Sequence, residues 1–270
     1  MAEPLQILLS NDDGIESPGL WAAAEALSSL GYVHVVAPRL QSSGMGRSVP
    51  STSDGRITPG KLTVHGKEWT VYAVNGSPAQ AVMHGVLEIS PRLPDLVVSG
   101  INYGENLGTG VTASGTVGAA LEAAAFGIPA IAISLQMDSQ YFMSYSREID
   151  FTPSKHFLGI FARALLARQM PPDVDLLKID IPAAATAQTN WQITRQSRHR
   201  YYRALPPKRK NWEDAAPIDW DKEMDPSSQP EDSDIFTLLV KQQVSVTPLS
   251  IDLTSRTAQA ELDGLIRSTS

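Results

Sequence analysis

The 270-residue chain contains no cysteine. That absence removes disulfides, thiolate metal sites and cysteine nucleophiles, so any metal must be held by oxygen or imidazole. No apolar run approaches the roughly 20 residues of a membrane helix, and the N-terminus has no basic segment followed by an apolar stretch. A soluble, cytoplasmic protein without a membrane partner is the expectation. Basic surface is scarce too. The formal net charge is −7, yet residues 211–234 hold nine acidic residues (Glu213, Asp214, Asp219, Asp221, Glu223, Asp225, Glu231, Asp232 and Asp234) against the single base Lys222. That segment carries −8 and the rest of the chain only +1. Neither part offers the broad positive surface that a nucleic-acid polymer demands. There is also no Walker A sequence and no complete GxGxxG fingerprint, which argues against ATPase and dinucleotide chemistry.

What is present is a 42% hydrophobic fraction, enough for a large core, arranged as alternating strand-like and helix-like segments. Strands are expected over 5–10, 33–37, 95–99, 129–134 and 175–181, and helices over 18–30, 78–89, 115–126 and 153–168, with a strand-rich excursion over 61–74. This alternation predicts an α/β protein with a mostly parallel sheet covered on both faces. After Pro182 the character changes to short β-like pieces, Trp191 to Arg195, Phe236 to Gln243 and Val244 to Val246, separated by a Pro-rich acidic insertion over 206–234. The expected organisation is a core over 1–182 and a β-rich C-terminal part over 183–270. Loops as long as 206–230 are usually lids, binding loops or disordered.

Asn11-Asp12-Asp13-Gly14 directly follows the apolar run Ile7-Leu8-Leu9, and Ser17-Pro18-Gly19 opens the next helix. The two carboxylates therefore sit in a strand-to-helix loop, at the sheet edge where open α/β folds gather their ligands. Adjacent like charges stay ionised most comfortably beside a cation or several N–H donors, and hard oxygen ligands suit Mg²⁺, Mn²⁺ or Ca²⁺. The plainer reading is that Asp12 and Asp13 cap a helix and fill a turn. Three more loops carry polar groups: Ser42-Ser43-Gly44, the run from Gly100 to Gly108, and Ser114-Gly115-Thr116 at a helix start. Ser43 and Asn102 can add hydroxyl and amide oxygens to the aspartates, leaving room for water and a phosphate oxygen. Backbone N–H groups at a helix start bind phosphate, although ordinary capping also explains Ser114 and Thr116. Asp12 or Asp13 is the expected general base, or the nucleophile in the alternative mechanism. His34, His65, His84 and His156 lack ligand spacing. His199 lies in a cationic run from Arg195 to Arg200, read as a solvated loop in preference to a phosphate contact.

The motifs Asn11-Asp12-Asp13-Gly14, Val36-Ala37-Pro38, Ser43-Gly44, Val98-Ser99-Gly100-Ile101-Asn102 with Asn106-Leu107-Gly108, and Ser114-Gly115-Thr116-Val117 resemble, in this order and spacing, the SurE family of survival-protein nucleotidases. Ser245-Val246-Thr247-Pro248-Leu249 with Asp252-Leu253-Thr254 is similar to the family's C-terminal signature, so the resemblance spans nearly the whole chain. It implies a Rossmann-like three-layer domain and a β-rich C-terminal oligomerisation arm, exchanged between subunits of a homodimer or homotetramer. It also implies one divalent cation per subunit, Mg²⁺ or Mn²⁺, and hydrolysis of nucleoside 5′- and 3′-monophosphates. Carried onto this sequence, the metal ligands are Asp12, Asp13, Ser43 and Asn102. Asn106, Ser114, Gly115 and Thr116 surround the phosphate, and Asn75-Gly76-Ser77-Pro78 lines the site. Two departures stand out: Ala79-Gln80-Ala81 replaces a Thr-Asp-Cys-like continuation, and the insertion over 211–234 is long and acidic. A broad acid phosphatase or exopolyphosphatase, and a slow nucleotide-sensing binding module, are the alternative functions.

Overall fold

The computed structural model describes residues 3–142, 144–222 and 224–268; Glu223 of the acidic stretch lies outside them. In chain order the elements are β1 (Gln6–Ser10), α1 (Pro18–Leu27), β2 (Tyr32–Pro38), β3 (Ile57–Val64), β4 (Lys67–Val74), α2 (Pro78–His84), β5 (Leu96–Tyr103), α3 (Gly115–Ala125), β6 (Ala130–Leu135), α4 (Thr152–Ala167) and β7 (Leu176–Ile181). There follow β8 (Trp191–Ile193), β9 (Arg203–Ala204), β10 (Trp220–Asp221), α5 (Asp234–Leu239), β11 (Val244–Leu249) and α6 (Gln259–Arg267).

One sheet runs in the order β3-β4-β2-β1-β5-β6-β7-β11-β8. Strands β4, β2, β1, β5, β6 and β7 pair in parallel; β3 closes one edge antiparallel to β4, and β11 lies antiparallel to β7 with β8 beside it. Successive strand side chains point to opposite faces. Accordingly Ile7 and Leu9 join Leu20, Ala23 and Phe157 of α1 and α4 on one side, while Leu8 joins Val82 of α2 and Ala120 of α3 on the other. This is the mostly parallel sheet covered on both faces that the alternating segments predict, and the Rossmann-like three-layer architecture that the family resemblance implies.

Local signals explain the finer boundaries. The excursion resolves into the β3–β4 hairpin, whose two turn residues His65 and Gly66 both have positive φ, 47° and 74°. Two-residue turns of that hand match the twist of the flanking strands. The segment Phe236 to Gln243, expected as a β-like piece, is instead helix α5 followed by a turn. The Ser233 hydroxyl accepts a hydrogen bond from Phe236 N at 3.1 Å, a side-chain N-cap, and Ile235 and Leu238, three residues apart, bury against Leu107 and Tyr201. The helix expected over 78–89 is regular only to His84 and continues as one wider π turn through Ile89. Residues Gly100 to Tyr103, read as loop, extend β5 after a register shift between Ser99 and Asn102. From the C-terminal part, β11 places Val244 and Val246 in the core beside β7. Within the long insertion, β10 pairs with β9 just before it, a 3₁₀ turn spans Pro226–Ser228, and Asp234 begins α5. No helix among the described residues is long and apolar enough to cross a membrane.

Strand β1 leads through α1 to β2 on one side, whereas its neighbour β5 leads through α3 to β6 on the other. The two crossovers lie on opposite faces, so the carboxyl ends of β1 and β5 part and open a crevice.

Candidate active site

The Asn11–Gly14 loop emerges into that crevice. Asn11 folds it by accepting from Gly14 N at 3.2 Å and donating to Gly14 O at 3.0 Å. Gly14 has φ of +100°, and a Cβ there would meet the Tyr145 hydroxyl at 2.9 Å, so the turn requires glycine. The tight turn sends two consecutive carboxylates different ways. Asp13 accepts from Tyr103 N at 3.1 Å through Oδ2 and from Gln41 Nε2 at 3.2 Å through Oδ1. Asp12 accepts from the Thr116 hydroxyl at 2.5 Å and borders a cleft of about 140 Å³.

That cleft is lined by Asp12, Ser43, Gly44, Asn102, Tyr103, Gly104, Glu105, Asn106, Ser114, Phe142 and Tyr202. Asp12, Ser43, Asn102, Asn106 and Ser114 thus meet on one cleft, Asn102 from the end of β5 and the other four from loops. The other assigned residues stand behind this lining. Asp13 faces Tyr103 N and Gln41; Thr116 is buried on Asp12; and a Cβ on Gly115 would come within 2.7 Å of the Asp12 Cβ, so glycine here lets helix α3 approach the carboxylate. Ser114 is the N-cap of α3, accepting from Val117 N at 3.1 Å, so the capping role and the cleft position coexist. Asn75 to Pro78 do not line the cleft, and Ser77 caps α2 in a reciprocal box with Gln80. His199 and its arginine neighbours are exposed, with the His199 carbonyl accepting from Thr109 N. A larger hollow of about 570 Å³ is lined only by consecutive residues Arg209 to Glu213, the inside of one loop's bend.

Both aspartates are only 3% exposed. Burial raises the Asp12 carboxyl above the usual carboxylate range despite its Thr116 hydrogen bond. Burial, helped by the adjacent Asp12 charge, pushes Asp13 up to about 8. No lysine, arginine or histidine among the described residues offsets the pair. Hydrogen bonds from Thr116 and Gly115 to Asp12 and from Tyr103 N and Gln41 to Asp13 offset the burial only in part, so the arrangement fits a bound cation. The donor set agrees. Asn102 donates through Nδ2 to Gly104 O at 2.7 Å, which leaves its amide oxygen as the end for a ligand, and the carboxylates and Ser43 hydroxyl are likewise hard oxygens. The cleft walls carry two acids and no base.

Sequence reasoning passed over Glu105, Tyr103, Phe142 and Tyr202. Glu105 was the lone carboxylate in the Gly100–Gly108 run, a signal that could have been weighed. Phe142 and Tyr202 reach the cleft only through tertiary packing.

A doubly wound α/β protein with an oxygen-donor cleft at its topological switch point is the class that fold and site define. The family described as survival protein SurE matches residues 7–203. The chain belongs to the SurE family. Two relatives, each called 5′-nucleotidase SurE, are that of Methanocella arvoryzae, 39% identical and covering 97% of this chain and 98% of its own, and that of Archaeoglobus fulgidus, 42% identical with 93% of each covered. The crystal structure of the SurE protein from Aquifex aeolicus superposes with a TM-score of 0.75 at 32% identity, covering 97% of this chain and 99% of that one.

Proposed function

We propose that this chain is a metal-dependent phosphomonoesterase that hydrolyses nucleoside 5′- and 3′-monophosphates to nucleoside and phosphate. The 5′-nucleotidase part rests on the named relatives; the observation that carries the chemistry is the convergence of Asp12, Ser43, Asn102, Asn106 and Ser114 on one acidic cleft without a basic side chain. Asp12, Asp13, Ser43 and Asn102 would hold one Mg²⁺ or Mn²⁺ per subunit. When bound, the cation supplies Lewis-acid polarisation and a template for the phosphate oxygens. Asn106 and Ser114, which line the cleft, orient the phosphate through N–H and O–H donors, whereas Gly115 and Thr116 at the start of α3 turn their donors to Asp12. Asp12 is the carboxylate that faces the reacting phosphate, because both oxygens of Asp13 are engaged by Tyr103 N and Gln41. It orients the attacking water and takes its proton as the phosphorus–ester oxygen bond breaks. The leaving ester oxygen takes a proton from solvent and Asp12 gives its proton back to solvent, so the products are the nucleoside and phosphate.

The test is phosphate release from nucleoside 5′- and 3′-monophosphates, an aryl phosphate and short polyphosphate, with Mg²⁺, Mn²⁺ or chelator. We expect turnover on the monophosphates that chelator abolishes and metal restores. Turnover confined to aryl ester or polyphosphate would make the broad phosphatase reading correct, and none at all would favour the binding module.

We further propose a cytoplasmic homodimer or homotetramer, in keeping with the absence of cysteine, with residues 1–182 as catalytic core and 183–270 as the oligomerisation part. Helix α6 buries no residue, and its Leu262 and Leu265 are 49% and 65% exposed. Two exposed leucines one helical turn apart suit packing against another surface. Removing residues 251–270 should lower the sedimentation coefficient to that of a smaller species; an unchanged value would refute the arm as the contact.

A further inference from the structure

The loop that carries Ser43 is fastened at both ends and loose in the middle. At its start Ser42 N donates to Asp12 O at 2.7 Å, which ties it to the carboxylate loop. Further on, Gly46 N donates to Ala113 O at 2.9 Å, the Ser77 hydroxyl to Ser48 O at 2.5 Å, and Gln80 Nε2 to Pro50 O at 3.1 Å. The Asn75–Pro78 segment, which does not line the cleft, thus acts on it at one remove through Ser77. Between these ties Ser43, Gly44 and Met45 are exposed, and a Cβ on Gly44 would meet nothing within 4 Å. Packing around these residues does not fix their place, so the ends of the loop must.

One of those fastenings is an ion pair. Helix α3 has the sequence Gly-Thr-Val-Gly-Ala-Ala-Leu-Glu-Ala-Ala-Ala, and its single charged residue, Glu122, is only 8% exposed. Arg47 Nε, from the Ser43 loop, donates to Glu122 Oε2 at 2.7 Å. A carboxylate buried on an apolar helix is costly without a partner, and a charge-assisted bond of that length is among the stronger kinds. One turn earlier on α3, a Cβ on Gly118 would come within 2.1 Å of the Gly46 carbonyl oxygen, so glycine lets the loop backbone lie directly on the helix. The same helix holds Asp12 through Thr116. Helix α3 therefore grips both partners, Asp12 near its first turn and the Ser43 loop less than two turns later.

We propose that Arg47 and Glu122 are positioning residues whose ion pair holds the Ser43 hydroxyl at the cation site it shares with Asp12. This rests on the metal-site reading above. Groups that orient metal ligands from behind typically contribute about 10- to 100-fold to metal affinity. The sign of the effect separates this role from plain charge. Taking the Arg47 charge off the protein would, by Coulomb attraction alone, tighten the binding of a cation. Releasing the loop loosens it.

The experiment titrates Mn²⁺ calorimetrically into the full chain without substrate, in wild type, Arg47→Met, Arg47→Lys, Glu122→Gln, Ser43→Ala and the double variant Ser43→Ala/Arg47→Met. Arg47→Met keeps the apolar stem, and Glu122→Gln keeps the shape of the buried side chain. We expect Arg47→Met to weaken Mn²⁺ binding by about 10-fold and Glu122→Gln to weaken it less, since the amide still accepts a neutral bond. Arg47→Lys should restore part of the affinity, because an ammonium keeps the charge and loses the planar fork. With Ser43 already alanine, Arg47→Met should cost nothing more, which shows that Arg47 acts through Ser43. Unchanged or tighter Mn²⁺ binding in Arg47→Met, or a fully additive loss in the double variant, overturns the inference while leaving the cation site intact. No Mn²⁺ binding by wild type overturns the metal-site reading and this inference with it.

Discussion

Asp13→Asn should abolish most activity yet make the metal-free protein harder to unfold. We expect nucleotide turnover to fall by about 10³-fold in Asp12→Asn and at least about 10²-fold in Asp13→Asn, on the scale of removing a charged ligand from a cation that stabilises the transition state. Stability should move the other way for Asp13. Its carboxyl, ordinarily near 3.8, is raised to about 8 by burial and by the Asp12 charge. A carboxyl with a raised folded value favours folding most when protonated, below its unfolded value, and that contribution is lost as pH rises towards 8. Asparagine has the same shape and no charge, so the gain from Asp13→Asn should grow between about pH 4 and 8. It should reach roughly 2 kcal/mol, or a few degrees in Tm. Adding Mg²⁺ should stabilise wild type by mass action and leave the variant unmoved. Thermal melts in chelator and in Mg²⁺ from pH 5 to 9 measure both effects. A lower metal-free Tm in Asp13→Asn would mean that the two carboxylates do not strain one another.

Lys178→Met should cost about 3–5 kcal/mol of folding stability, the scale of breaking a buried ion pair on one side. Lys178, Asp180 and Asp234 are wholly buried, with Nζ 2.5 Å from Asp180 and 3.2 Å from Asp234. Burial alone would lower the lysine, but the two aspartates outweigh it and hold the ammonium charged. Removing that charge strands two carboxylates in the interior. It should also reach the site. Asp180 accepts from Asn106 N at 2.7 Å and Asp234 from Gly108 N at 3.0 Å, so the triad anchors the loop that presents Asn106 and Glu105 to the cleft. We expect KM for nucleotide to rise along with the lost stability. Adding Asp180→Asn to Lys178→Met should recover part of the stability, since a negative charge leaves with the positive one while the oxygen facing Asn106 N remains. Urea unfolding of the three proteins decides this; a double variant no more stable than Lys178→Met would show that the charges are not what binds the triad.

Several features could be read directly because their causes are local. Ile7-Leu8-Leu9 announces a buried strand by composition, and Asn11-Asp12-Asp13-Gly14 announces a turn rich in oxygen donors. Segment Phe236–Gln243 was misread because its apolar residues suit either structure, and the cap from Ser233 settles the choice. The partners of Asp12 and Asp13 could not be read: Thr116 lies 104 positions from Asp12, and Tyr103 lies 90 from Asp13. Glu105 was visible as a residue, but its bonds to Tyr201 and Lys222 were not.

By itself the sequence determined an alternating α/β fold, the absence of thiolate ligands, and strand-end loops rich in hard oxygen donors, because residue type and periodicity act over a few neighbouring positions. The tertiary structure alone decided that β11 joins the sheet beside β7, that Asp12 rather than Asp13 fronts the cleft, and that Lys222 holds Glu105 among aromatic rings. Those outcomes depend on strand order and on packing between distant segments, which no local pattern encodes.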